Sequence, residues 1–222
     1  MAEEKRLVIF GDSIAKGVTY EDGHYHLCRD HNFDALAKHG VAVSNYAKMG
    51  ACSDTVLAIA EKRLEACEGA QVLLSFGGND CDFDWQAVSD RPEGEHLPKI
   101  SAETFLENYR TLVTLLQERC KTVWMTSLVP LEAHRFLEHV SQGRSREHIL
   151  AWLGDADRIF RWQAYYNDLV CKLARELGCP LLELQPEFLK DRAFGSLISG
   201  DGIHPTQKGY DLVHRCVEQV FA

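Results

Sequence analysis

The stretch RLVIFGDSIAKGV, Arg6 to Val18, sets a compact apolar run directly against Gly11-Asp12-Ser13. Leu7–Phe10 shows no polar alternation, as expected of a strand buried on both faces of a parallel sheet. A serine where such a strand stops has two readings. It can cap the N-terminus of a following helix, the commoner role for an isolated serine, or it can be a nucleophile held at the end of a sheet.

Four more short apolar runs follow, at Val41–Asn45, Val72–Phe76, Thr122–Ser127 and Pro180–Leu184. Between them lie segments with helical spacing: one expected to open at Ser13, then Thr55–Cys67, Ala102–Cys120 and Trp162–Leu177, with a last helix over Thr206–Val220 entered through Pro205 and Thr206. Strands alternating with helices predict an α/β fold with a parallel sheet covered on both faces. Two stretches fall outside the alternation. Asp80–Ile100, polar and carrying Pro92, Gly94 and Pro98, reads as a long loop; Pro130–Ile159, containing EAHRFLEHV and REHILAWLG, reads as an ordered helical cap. The expectation is one domain over residues 1–222, with a loop insertion at about 80–100 and a cap insertion at about 130–160.

A chain of 222 residues, 45% hydrophobic and 26% charged, can bury a core without staples. A net charge of -9 with no basic stretch argues against a nucleic-acid partner. The start MAEEKRLVIF has too few apolar residues for a secretory leader, and no run reaches the roughly 20 apolar residues that span a bilayer. The expectation is a cytoplasmic protein with no membrane partner. Its eight cysteines are scattered without a C-x-x-C pair, which reads as reduced thiols rather than a zinc site. Asp80, Asp82 and Asp84 alternate like the start of a calcium loop, but Trp85 and Arg91 stand where that loop needs glycine and glutamate, leaving three loop carboxylates and no metal.

Ligands of open α/β sheets bind beyond the carboxyl ends of the strands. Gly11-Asp12-Ser13 follows the first strand, YAKMGACS with Gly50 the second, GGNDCD with Asn79 the third, and SGDGIHP with Asp201 and His204 precedes the last helix. A hydroxyl, a glycine amide, a carboxamide, a carboxylate and an imidazole at one rim are the parts of an acyl-transfer site. Ser13 would attack, His204 would take its proton and Asp201 would orient His204. The amides of Ser13 and Gly50 and the side chain of Asn79 would form an oxyanion hole. Asp12 reads as structural, bonding turn amides. Taken singly, Gly50 reads as a turn glycine and Asn79 as a loop residue; their joint placement favours the site.

These blocks resemble the SGNH hydrolases, also called GDSL-type esterases: FGDSI the first block, Gly50 the second, GGND the third and DGIHPTQKGY the last, over Leu7 to about Val213. Ile14 stands where the older family name has leucine. The resemblance implies a three-layer α/β/α sandwich with a flavodoxin-like five-stranded parallel sheet, ordered 2-1-3-4-5. It also implies hydrolysis of esters or thioesters through an acyl-serine, with neither metal nor organic cofactor. The loop GGNDCDFDW and the aromatic cap resemble bacterial intracellular esterases that deacetylate carbohydrates. Asp82, Trp85, Arg135 and Trp152 become candidate substrate contacts for a sugar or oligosaccharide ester, although Trp152 and Trp162 could equally pack the cap. A lysophospholipase or thioesterase, and a non-catalytic binding module on the same fold, stay open as alternatives. The cap could also pair subunits into a homo-oligomer.

Overall fold

In the computed structural model, which describes residues 5–222, the apolar run lies within a strand, β1 (Lys5–Gly11); Met1–Glu4 of the N-terminal stretch read above lie outside the described residues. A hairpin follows, β2 (Val18–Glu21) and β3 (His24–Leu27), then α1 (Asp34–Ala37), β4 (Val41–Asn45), α2 (Ser53–Glu61), α3 (Leu64–Cys67) and β5 (Gln71–Ser75). The second half runs α4 (Trp85–Asp90), α5 (Ala102–Gln117), β6 (Thr122–Thr126), α6 (Ala133–Val140), α7 (Arg146–Leu153), α8 (Asp157–Glu176), β7 (Leu181–Leu182), α9 (Leu184–Leu189) and α10 (Gln207–Phe221). The main sheet is parallel, in the order β4-β1-β5-β6-β7. Counting only its own strands in chain order, that is 2-1-3-4-5.

Alternate side chains of β1 enter different cores, which is why the run is apolar throughout. Val8 and Phe10 pack with Tyr109 of α5 and Val170 of α8, whereas Leu7 and Ile9 pack with Phe188 of α9 and Val217 of α10. A third apolar cluster lies beyond the sheet, where Phe83 and Trp85 meet Phe136, Leu137, Ile149 and Leu153 of α6 and α7. This cluster makes the cap. Among the described residues no helix is long and apolar enough to cross a membrane. All eight cysteines are free, and five of them are buried.

Several expectations need correction. No helix begins at Ser13; Ser13–Gly17 form turns closed by Gly17 N–H to Ile14 O, 3.0 Å, and Val18 N–H to Ser13 O, 2.9 Å, before β2. Gly17 leaves the helical region with φ 84°, and the β-branched and aromatic Val18, Thr19 and Tyr20 favour a strand. Ser13 therefore stands at no helix N-terminus and gains no helix-dipole field. Asp80–Ile100 is not all loop: Asp84 accepts from the amides of Gln86 and Ala87 and starts α4, so that Trp85 and Val88 can enter the cap core. The stretch expected as one helix over Thr55–Cys67 divides at Lys62–Arg63 into α2 and α3. The fifth strand shrinks to two residues at the sheet edge, since Pro180 has no amide hydrogen to donate and Leu184 already starts α9.

The register sets the site. Gly11 pairs with Ser75 and Ile9 with Asn45, so the loops after β1, β4 and β5 leave the sheet side by side.

Candidate active site

Ser13 occupies the first of those loops, 8% exposed. The loop is pinned from below and from the side. Asp12 accepts from the Ile14 amide, 2.9 Å, and Asn45 Nδ2 donates to the Ala15 carbonyl, 2.9 Å. His204 reaches Ser13 from the other end of the chain, with Nε2 2.8 Å from Ser13 Oγ. Its Nδ1 lies 2.5 Å from Oδ2 of Asp201, a residue with no exposed surface. The other oxygen, Oδ1, accepts from the amides of Ile203 and His204, 3.2 Å each, so one carboxylate shapes the turn and orients the imidazole. Burial pushes Asp201 up, but the hydrogen bond and charge of His204 and the two amides outweigh it and hold the carboxyl below the usual range.

Gly202 makes this turn possible. It has φ +82°, and a Cβ there would sit 2.3 Å from the Phe136 amide nitrogen and 2.7 Å from the Glu132 carbonyl of the cap. The Glu132 amide in turn donates to the Gly202 carbonyl, 2.8 Å. Below, Ser199 N–H donates to the His204 carbonyl, 2.8 Å, and Thr206 caps α10 by accepting from the Gly209 amide.

The expected oxyanion donors lie beyond β4 and β5. Asn79 Nδ2 donates to the Ala51 carbonyl, 3.1 Å, which draws the turn carrying Gly50 against the third block. Gly50 has φ +74°, the left-handed value that glycine tolerates, and among the described residues no acceptor takes its amide. Asp80 ties the same two loops together by accepting from the Ser53 amide, 2.8 Å. It was expected as a loop carboxylate; it is fully buried, and among the described residues its Oδ2 has no hydrogen-bond partner.

Burial pushes the carboxyls of both Asp12 and Asp80 up to about 6. For Asp12 the Ile14 amide and His204 pull the other way and Asp80 adds to the rise. A raised carboxyl holds a proton in the folded chain that the unfolded chain has released. Its stabilising contribution is complete below the unfolded value of 3.8 and is lost as pH rises through about 6. Between about pH 5 and about pH 7.5 each group should withdraw roughly 1–2 kcal/mol. Urea unfolding across that window should show Asp80→Asn less pH-sensitive than the parent; identical slopes would contradict a proton held at Asp80.

A cleft of about 760 Å³, counting its open mouth, adjoins Ser13 and His204 beneath the cap. Its walls are mainly apolar, among them Ile14, Phe83, Leu131, Phe136, Ile159 and Ile203. Of the four expected substrate contacts, Asp82 and Trp85 line it. They also bond each other, Trp85 Nε1 to Asp82 Oδ1 at 2.8 Å, while Lys99 holds the second carboxylate oxygen at 2.7 Å. Arg135 and Trp152 are not in the wall. Arg135 donates to the carbonyls of Gly195 and Ile198, 2.7 Å each, and straps the cap to the chain before α10. Trp152 is consumed in packing, edge-on to Phe83 at 4.9 Å with Arg158 over its face at 5.0 Å.

Three residues escaped the sequence reading. Arg158 and Gln163 line the cleft from α8, where nothing in the sequence marks which face looks inward. Tyr25, 44% exposed, meets the His204 ring edge-on at 5.4 Å and puts its hydroxyl 3.4 Å from His139 Nε2. The signal for Tyr25 was present: Asp22-Gly23, both at positive φ, is a two-residue hairpin turn between residues of high strand propensity.

The GDSL-like lipase/acylhydrolase family profile matches residues 9–212. No curated relative matches the chain by sequence. Among solved structures, the acetylxylan esterase Axe2 from Geobacillus stearothermophilus is 16% identical with a TM-score of 0.68, covering 97% of this chain and 93% of that one. A lipase/acylhydrolase from Enterococcus faecalis is 19% identical with a TM-score of 0.66, covering 97% and 94%. LAE5, an alpha/beta hydrolase enzyme from the metagenome of Lake Arreo, Spain, is 19% identical with a TM-score of 0.68, covering 99% and 95%. At these identities the likeness is one of fold.

Proposed function

The chain belongs to the GDSL-like lipase/acylhydrolase family, and from that premise we propose that it hydrolyses carboxylic esters through an acyl-serine on Ser13. The observation that carries this reading is the unbroken contact from Ser13 Oγ through His204 to buried Asp201. Ser13 Oγ attacks the ester carbonyl as its proton passes to His204 Nε2, and Asp201 stabilises the imidazolium. The oxyanion is met by the Ser13 and Gly50 amides and by the Asn79 hydrogen that the Ala51 carbonyl leaves free. His204 then returns the proton to the departing alcohol, and water repeats the sequence on the acyl-serine.

The acyl group stays bonded to Ser13 while the alcohol leaves and water enters. The walled apolar cleft suits the part that stays, and the open side at Tyr25 suits the part that goes. A carbohydrate alcohol is supported by that open side: Tyr20, Tyr25 and His139 form a polar-edged aromatic group against His204, a surface suited to sugar C–H faces and hydroxyls. The fold neighbour Axe2 is itself an acetylxylan esterase. On this reading the chain is a single catalytic domain over residues 1–222 that works in the cytoplasm. The lysophospholipase or thioesterase alternative predicts a preference for long acyl chains over short ones. Turnover of p-nitrophenyl esters from acetyl to decanoyl, beside acetylated xylo-oligosaccharides, separates these readings.

Asn79→Ala should lower kcat by about 10²–10³ with little change in KM, because the oxyanion exists only along the reaction path. Steady-state kinetics on the best ester tests this. A rise in KM alone would make Asn79 a ground-state contact.

A further inference from the structure

Phe83, Trp85, Phe136 and Trp162 border the same cleft as Ser13, Asn79 and His204. Both indole N–H groups are spent within the protein, Trp85 Nε1 on Asp82 Oδ1 and Trp162 Nε1 on the Cys81 carbonyl, 2.8 Å each. What these four side chains offer a guest is therefore ring carbon. Phe83 and Trp85 cross at 74° with centroids 5.8 Å apart, and Trp85 and Phe136 at 77° and 5.8 Å. Rings set so close to right angles present both faces and edges, the complement of another aromatic ring. A cleft of about 760 Å³, counting its mouth, also exceeds what a two-carbon acyl group fills; pockets of this order bury most of a much larger guest.

We infer that the acyl part of the substrate ends in an aromatic ring seated among these four side chains, so that the preferred ester is an arylalkanoyl one. The inference rests on the acyl-serine reading above. With the carbonyl held at Ser13 and Asn79 and the alcohol on the open side at Tyr25, the space left to the acyl chain is the aromatic-walled cleft. A flexible alkyl chain loses more rotamer freedom there and makes no edge-to-face contact, whereas each such contact favours an aromatic guest by about two- to tenfold. No step of the hydrolysis changes; the ring takes no part in bond making and only holds the acyl-serine in place until water attacks.

The test is kcat/KM for the p-nitrophenyl esters of acetate, 3-phenylpropanoate and 3-cyclohexylpropanoate, the last two alike in length and carbonyl chemistry and different in the ring. The parent should favour 3-phenylpropanoate over acetate by about tenfold or more, and over 3-cyclohexylpropanoate by about threefold or more. The second ratio should fall at least about twofold in Phe83→Leu or in Phe136→Leu, which keep an apolar wall and remove a ring, whatever their absolute rates. A parent that prefers acetate overturns the inference. Equal rates on the two ring-bearing esters overturn it as well, since the cleft would then read size alone. So does a ratio unchanged in both variants when both are folded by circular dichroism. Should neither variant fold, the parent's two ratios decide alone. Turnover without these preferences defeats only this inference. Absence of all ester turnover, with no fluorophosphonate adduct on Ser13, defeats the acyl-serine reading and this one with it.

Discussion

Ser13→Ala is expected to lower kcat by about 10⁴-fold or more on every ester the parent turns over. The change removes one oxygen from a loop held by other atoms. The Asp12–Ile14 contact, the Asn45–Ala15 contact and the Ser13 carbonyl bond to Val18 all remain. Thermal unfolding should therefore stay close to that of the parent, and intact-mass analysis after fluorophosphonate treatment should show an adduct on the parent and none on the variant. Residual turnover at a tenth of the parent rate in a pure sample would move the nucleophile elsewhere.

Asp201→Asn is the second large effect, about 10⁴-fold in kcat. The carboxylate now accepts from His204 Nδ1 at 2.5 Å, which leaves Nε2 as the base facing Ser13. An amide nitrogen at Oδ2 would need an acceptor at Nδ1, and the proton would move to Nε2, where it blocks proton removal from Ser13. The amide oxygen could still take the Ile203 and His204 amides, so the turn should keep its shape. The loss should therefore fall on kcat, while unfolding by urea changes little. Equal losses in kcat/KM and stability would mean that Asp201 serves the turn alone.

The central strands were legible because a strand buried on both faces of a parallel sheet is apolar throughout, and Leu7–Phe10 and Val72–Phe76 lie within a residue or two of the observed strands, whereas the order of the strands came only with the resemblance of the motif blocks. The meeting of Ser13, Asn79, Asp201 and His204 was legible for a related reason: parallel strands bring all their carboxyl ends to one rim. Side-chain direction was not legible. Arg135 and Trp152 sit in the cap as expected, yet they face the chain before α10 and the Phe83 cluster. The turn after Ser13 was misread because the segment offers helix-compatible residues up to Lys16, and only Gly17 with the strand-forming residues beyond it reverses the preference. The burial of Asp80 was not legible, because it depends on long-range contact with Ser53.

The fastening of α6 to Gly202 bears on how this chain could change over generations. Caps on α/β scaffolds are often pictured as interchangeable modules, free to diversify while the chemistry stays put. Here the first turn of α6 and the Asp201–His204 turn share a hydrogen bond and a gap too narrow for a methyl group. An insertion or graft that resets α6 would carry His204 out of line with Ser13, so it would be purged for loss of rate before any new specificity could be selected. The hairpin of β2 and β3 lacks that constraint, since its strands pair with each other and touch the His204 turn mainly through Tyr25 and the Thr19–Ser199 contact. Innovation in leaving-group choice should therefore accumulate in residues 18–27, and divergent relatives should differ there while the α6 junction stays uniform.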